Sequence, residues 1–167
     1  NPENKQAMEA VSRGVLEAKA DFGLIFDTDV DRSAAVDGQG REIARNEIVA
    51  LAAALIAEEH PGTTVVTDSV TSDPLSVFLE VDLGLKHRRF QRGYKNVINE
   101  AIRLNQEGVD CQLAIETSGH AAYKENYFLD DGAYLATKVV IKAALLHLAG
   151  RTLDGLISGL GKPAEAM

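Results

Sequence analysis

Three aspartates stand at alternate positions in Asp27-Thr28-Asp29-Val30-Asp31, with the apolar run Phe22–Phe26 before them and Arg32 directly after. In an extended chain, side chains two residues apart point the same way, so these carboxylates converge. Left alone they repel, and some must take up protons. A hard divalent cation removes the conflict, and Mg²⁺ suits it, taking oxygen ligands and keeping positions for a phosphate. Three carboxylates and one such ion leave about one negative charge, most of which Arg32 offsets. A calcium EF-hand begins with the same spacing but needs glycine at its sixth position and glutamate at its twelfth, where this chain has Arg32 and Gly38. That reading is excluded. A solvated acidic turn is the competing reading. It is disfavoured because the stretch ends a buried strand, where open α/β sheets place their ligands.

A second constellation, Glu116-Thr117-Ser118-Gly119-His120, also follows a predicted strand. A carboxylate accepts from neighbouring hydroxyls, while imidazole and serine both donate and accept, so the set suits a polyol. The same residues also make an ordinary polar loop, and their chemistry alone does not choose. Lys124 lies near enough in sequence to reach an anion, although a lone lysine is usually solvated. A third stretch, Arg92-Gly93-Tyr94-Lys95, opens a predicted helix and, with Arg88 and Arg89, forms the most basic patch of the chain. Free N–H groups at a helix start beside cations bind anions; Arg88 and Arg89 equally serve to guard an edge strand. No serine nucleophile with a neighbouring histidine, no glycine-rich phosphate loop and no Cys/His zinc spacing is present. His60, His87 and His147 are isolated.

These groups need a scaffold. Residues 3–19 carry Met8, Val11, Val15 and Leu16 on one helical stripe, and 22–26 is a buried strand. Ser33–Asp37 and Arg41–Ile43 flank Gly38-Gln39-Gly40 as a hairpin. Asn46 caps a helix that runs to about Glu59, with Ile48, Leu51, Leu55 and Ile56 inward. A strand at Thr63–Thr67 follows, then a helix from Pro74 to Val81 capped by Asp73. Next come a polar edge strand at Lys86–Phe90, a helix at Tyr94–Asn105 and a strand at Gln112–Ile115. Thr117–Asp131 reads as a loop with a short strand at Tyr127–Leu129. A long helix at Tyr134–Leu148 and a last short helix complete the chain. Such alternation means an α/β layer fold with a largely parallel or mixed sheet.

The 167 residues, 46% apolar and 25% charged, have ordinary globular composition. A net charge of −8 argues against nucleic acid or an anionic membrane as partner. No apolar run approaches a membrane span, and nothing reads as a signal peptide. The single cysteine, Cys111, excludes an internal disulfide and fits a reducing, cytoplasmic location. The chain starts at Asn1 rather than methionine, so a piece of a longer protein is expected.

With these residues in view, the chain resembles the α-D-phosphohexomutases. Asp27-Thr28-Asp29-Val30-Asp31-Arg32 is similar to their metal loop, usually Asp-Gly-Asp-x-Asp-Arg, with Thr28 replacing the common glycine. Glu116-Thr117-Ser118-Gly119-His120 resembles their sugar loop, often Glu-x-Ser-Gly-His. Asn1-Pro2-Glu3-Asn4 resembles a segment ahead of the metal loop, and Arg92-Gly93-Tyr94-Lys95 the Gly-x-Lys that opens a helix near the sugar. The matches run in family order over nearly the whole chain, closest to the phosphomannomutase/phosphoglucomutase branch. The resemblance implies an α/β fold: a three-layer mixed sheet with helices on both faces, like the family's third domain, preceded by a partial second α/β domain. It divides the chain into 1–43 (end of domain 2 with the metal loop), 44–150 (domain 3 with the sugar loop) and 151–167 (linker toward a fourth domain).

The implied activity is Mg²⁺-dependent interconversion of hexose 1-phosphate and hexose 6-phosphate through a phosphoserine and a 1,6-bisphosphate. Asp27, Asp29 and Asp31 are then the metal ligands. Arg32 is the catalytic residue holding the phosphoserine or moving phosphate. Glu116, Ser118, Gly119, His120, Gly93, Tyr94, Lys95 and Lys124 contact the substrate. The family's Thr-Ala-Ser-His-Asn-Pro serine motif and its phosphate-gripping loop are absent from these residues, so the chain alone is expected to be inactive. The alternatives are a stand-alone sugar-phosphate or cation-binding module, and a phosphatase using an aspartate nucleophile. Residues 1–43 expose an apolar face that must pack on the third domain or pair between chains, as a homodimer or swapped assembly.

Overall fold

The computed structural model describes residues 1–162. The first helix, α1 (Lys5–Ala18), starts where the Asn4 side chain accepts the Ala7 amide at 2.9 Å. A three-stranded antiparallel sheet follows: β1 (Phe22–Phe26), β2 (Ser33–Asp37) and the short β3 (Glu42–Ile43), in that order. Strand alternation gives this sheet two apolar faces. Ile25, Ala34 and Val36 meet Met8 and Val15 of α1. Gly23 lies on that same face because a Cβ there would stand 2.7 Å from both Val11 Cγ1 and Val15 Cγ2.

The second sheet has the order β5-β4-β6-β7. Its strands are β4 (Thr64–Asp68), β5 (Lys86–Phe90), β6 (Cys111–Ile115) and β7 (Ala121–Tyr123). β4 is parallel to β5 and β6, and β7 runs antiparallel beside β6. One face is covered by α4 (Tyr94–Gln106), through Val97 and Ala101 on Val66, Cys111 and Ala114. The other carries the main core, built by α2 (Asn46–Glu59), α5 (Gly132–Leu148) and a short α3 (Asp73–Val77) against Val65, Leu113, Ile115 and Tyr123. This is the α/β/α mixed-sheet arrangement expected.

The far side of α5 touches β1 and β2, and Phe22, Leu24 and Ala35 join the main core. The two sheets therefore share α2 and α5 between them, which is why Ile48–Ile56 is buried all round rather than on one stripe. Residues 1–43 thus cover their apolar face within the chain. The segment after α5 also packs back: Leu153 is buried, and Leu156, Ile157 and Leu160 lie against the main core. No helix among the described residues is long and apolar enough to cross a membrane.

Several local expectations are corrected. Asn46 is the first helical residue rather than the cap; Arg45 precedes it at φ +56° with no side-chain bond, and Asn46 Oδ1 accepts the Ser72 amide. Ser72, not Asp73, caps α3, its hydroxyl accepting from Leu75, and the helix continues as a π turn over Phe78–Asp82. The late strand is Ala121–Tyr123 rather than Tyr127–Leu129, since Tyr127 and Phe128 are left-handed at φ +55° and +54°.

Candidate functional site

Asp27 directly follows β1, is 8% exposed, and is clamped by the arginine five residues on. Arg32 Nε donates to Asp27 Oδ2 at 2.6 Å and the Arg32 amide donates to Oδ1 at 3.2 Å. Burial works against the charged carboxylate, but the bonds from Arg32 outweigh it and hold Asp27 down to about 2. Arg32 is held in turn by Glu3, with Nη1 3.0 Å from Oε2, so the Asn1–Asn4 segment reaches the loop through that pair. Asp31 moves the other way. Burial raises its pKa, and the neighbouring Asp27 carboxyl adds to the rise.

Asp27, Asp29 and Asp31 do converge: one oxygen from each lies within 4.8 Å of the others. Asp29 is exposed, and Asp31 Oδ1 is buried without a hydrogen-bond partner. Three carboxylates with an orphaned buried oxygen fit a hard cation, which would give that oxygen a ligand bond. A carboxylate has about four lone-pair sites, so Arg32 does not exhaust Asp27. Val30 turns the loop at φ +65°, a strained conformation for a β-branched residue. Its carbonyl accepts the Gly132 amide at 3.0 Å. Gly132 must be glycine, because a Cβ would sit 2.8 Å from both Val30 O and Arg32 C.

The second loop leaves β6. Glu116, 5% exposed, accepts the Gly93 amide at 2.6 Å and faces the Ser118 hydroxyl at 3.4 Å. Gly93 caps α4 at φ +120°, where a side chain is strained. The next residue, Tyr94, stacks on His120 with ring centroids 4.9 Å apart and an interplanar angle of 19°. Lys95 Nζ lies 5.7 Å from the Tyr94 ring centroid. His120 Nδ1 is 2.7 Å from Asp130 Oδ2. Burial pulls the imidazole pKa down, but the Asp130 bond and the charges of Asp130 and Asp31 raise it overall.

The two loops join. Arg32 and His120 form an antiparallel backbone bridge, the Ser33 amide donates to Gly119 O at 3.2 Å, and Asp31 Oδ2 is 3.7 Å from His120 Nδ1. A Cβ on Gly119, at φ +100°, would lie 2.5 Å from Ser33 O. A cavity of about 420 Å³ opens beside the junction, lined by Glu3, Lys5, Ser33, Arg45, Thr117 and Ser118 among others. Ligand atoms of Asp31, His120 and Asp130 also cluster within 4.8 Å, so Asp31 belongs to both groups.

Asp27, Asp29, Asp31, Arg32, Glu116, Ser118, Gly119, His120, Gly93, Tyr94 and Lys95 are therefore gathered in one region. Lys124 is not. It follows β7 at the opposite end of the sheet, where Nζ pairs with Asp110 Oδ1 at 3.3 Å. Strand β7 carries the chain away from Glu116, and sequence proximity concealed that. Arg88 and Arg89 are structural: Arg88 binds the buried Glu100 at 3.1 Å, and Arg89 binds Thr71 at 3.1 Å and Asp73 at 2.9 Å. Asp130 and Asp68 were missed. Asp130 precedes the helix cap Asp131 and carries no separate signal; Asp68 is the one acidic residue of the β-branched strand Thr64–Asp68, at its last position.

Comparison with known proteins converges on one family. The model of the phosphoglucomutase/phosphomannomutase α/β/α domain III matches residues 44–161. The chain is 28% identical over 160 residues to phosphoglucosamine mutase of Syntrophomonas wolfei, covering 95% of this chain and 34% of that protein. It is 31% identical over 156 residues to phosphoglucosamine mutase of Halorhodospira halophila, covering 93% and 32%. It thus spans about a third of the length of these curated relatives. In fold it is similar to a Burkholderia thailandensis phosphoglucomutase/phosphomannomutase family protein, with TM-score 0.79 and 24% identity over 96% of this chain and 33% of that one. A second likeness is Aspergillus fumigatus N-acetylphosphoglucosamine mutase, solved with GlcNAc-6P and magnesium, with TM-score 0.62 and 17% identity over 83% and 33%.

Proposed function

Because the chain belongs to the phosphoglucomutase/phosphomannomutase family and contains its α/β/α domain III, we propose that it supplies the metal-holding and sugar-holding parts of a hexose phosphate mutase. The observation that carries this reading is the junction of the two loops through Arg32 and His120. It brings the Asp27–Asp31 carboxylates near Glu116 and Ser118, which supports a cation site beside a polyol site, the two things a phosphorylated sugar would need. Asp27, Asp29 and Asp31 are the proposed Mg²⁺ ligands. When bound, the ion would neutralise charge on a transferring phosphoryl group. Arg32, fixed by Asp27 and Glu3, offers its remaining guanidinium donors to a phosphate oxygen. Glu116 and Ser118 accept from and donate to sugar hydroxyls, while His120 and Tyr94 border them. The Aspergillus relative's complex with GlcNAc-6P and magnesium supports this pairing of ligands.

The serine that carries the phosphoryl group, and the loop that grips the substrate's other phosphate, belong in this proposal to the length the relatives have and this chain lacks. We assign residues 1–43 to the end of the second domain, 44–150 to the third, and 151–167 to the connection beyond. Glucose and mannose phosphates are the proposed substrates. Glucosamine phosphate is the second reading, favoured by the names of the curated relatives. The chain alone, given glucose 1-phosphate, a 1,6-bisphosphate activator and Mg²⁺, should bind the metal weakly and turn nothing over. The intact enzyme should convert at least one of the three hexose phosphates, and comparing their kcat/KM ranks them. Robust turnover by the isolated chain, or none by the intact enzyme, overturns the proposal.

A further inference from the structure

Below the sugar loop, at the end of β4, lies a carboxylate that none of the roles above uses. Asp68 is 1% exposed. Its Oδ2 accepts both donors of Thr117, the amide at 3.1 Å and the hydroxyl at 2.7 Å, while Oδ1 is buried without a partner. Burying a carboxylate costs far more than burying a neutral acceptor, so a strand end that only had to satisfy one amide would do better with asparagine or serine. What the charge adds is strength, because charge-assisted bonds are roughly twice as strong as neutral ones. The residue is itself immobilised. Thr67 and Thr71 both donate their hydroxyls to the Asp68 carbonyl, at 3.2 and 3.1 Å, and Arg89 Nε donates to Thr71 Oγ1 at 3.1 Å.

We infer that Asp68 is a positioning residue that fixes the Glu116–Ser118 segment for sugar hydroxyls. The inference rests on the reading of that segment as the sugar loop. Thr117 stands between the two ligands, and two bonds to one anion prevent its peptide from turning. Glu116 is held from the other side by the Gly93 amide at 2.6 Å. Its carboxylate and the Ser118 hydroxyl, 3.4 Å apart, then present a fixed pair of groups.

The test uses Asp68→Asn, Thr117→Val and Thr117→Ser. The valine keeps the shape and loses one donor; the serine keeps both donors. Amide hydrogen exchange across residues 116–120 should quicken in Asp68→Asn and Thr117→Val while exchange in α5 stays slow, and Thr117→Ser should resemble the parent. In the intact enzyme the same two variants should raise KM for hexose phosphate about tenfold, with a smaller effect on kcat, since each loses a hydrogen bond to a charged group. Among substrates deoxygenated at ring positions 2, 3 and 4, one should show little of this penalty, because the hydroxyl that the fixed pair holds is already gone. Unchanged exchange at 116–120, or an unchanged KM with only a lowered melting temperature, overturns the inference. If the intact parent converts no hexose phosphate, the mutase reading fails, and the exchange result alone decides whether Asp68 orders the loop.

Discussion

Asp27 and Asp29 are both proposed metal ligands, yet their surroundings predict opposite behaviour without metal. The Asp27 side chain is 2% exposed and carries two bonds from Arg32. Asp27→Asn sets an amide donor against one of the two Arg32 donors and leaves a guanidinium that is only 23% exposed with Glu3 as its remaining hydrogen-bonded partner. Breaking such a partly buried pair should cost about 2–3 kcal/mol, which lowers the melting temperature by about 4–12 °C in a chain of this size. Asp29 is exposed, so Asp29→Asn should stay within about 0.5 kcal/mol of the parent. Mg²⁺ at ten times its Kd should stabilise the parent by about 1.4 kcal/mol, or about 3–6 °C, and should stabilise neither variant. The assay is thermal unfolding by circular dichroism with and without MgCl₂, with KCl as an ionic-strength control. If Asp29→Asn proves as costly as Asp27→Asn, or if Mg²⁺ raises Asp29→Asn as much as the parent, the division into one structural and one free ligand is wrong.

Other expectations follow from single contacts. Gly119→Ala puts a Cβ 2.5 Å from Ser33 O in a left-handed backbone, so the bridge between the loops should open and amides 31–33 and 118–120 should lose exchange protection together. Burial, aided by the charge of Arg89, holds His87 down to about 4; between pH 6.5 and 4 the unfolded chain binds the extra proton and the folded one does not. Stability should therefore fall as pH drops through that window, and urea titrations of His87→Gln should show a shallower fall. Tyr123 is 1% exposed and its hydroxyl is buried without a partner, so Tyr123→Phe should be neutral or stabilising in the same titrations.

The features legible in the sequence are those whose cause is local. The apolar run Phe22–Phe26, the turn Gly38-Gln39-Gly40 and the polar edge strand Lys86–Phe90 state their roles in their own composition, and each stands where expected. The aspartates converge as their spacing suggested, but in a loop bent at Val30, φ +65°, rather than in the extended chain that the spacing assumed. What was hidden depends on distant partners. Ala121–Tyr123 is a strand because Leu113–Ile115 lies beside it; two alanines and a tyrosine carry no strand signal alone. Asn46 fails as a cap because Ser72, 26 residues on, claims its oxygen. His87 looked isolated, but Thr67 and Ser76 bind its two nitrogens at 2.8 Å each. Lys124 was misplaced because reading along the chain measures distance in residues, whereas an antiparallel strand returns the chain to the far end of the sheet.

Both sheets pack on α5, and each contributes one of the two loops proposed to hold ligands. Leu135 and Val139 of that helix are fully buried in the main core, and Gly132 at its start supports the Val30 turn. Helix α5 is therefore a shared footing for the two loops proposed to hold metal and sugar, whose tips are tied by the Arg32–His120 bridge. A change of side-chain volume at Leu135 is felt in both sheets at once, while every proposed ligand residue keeps its identity.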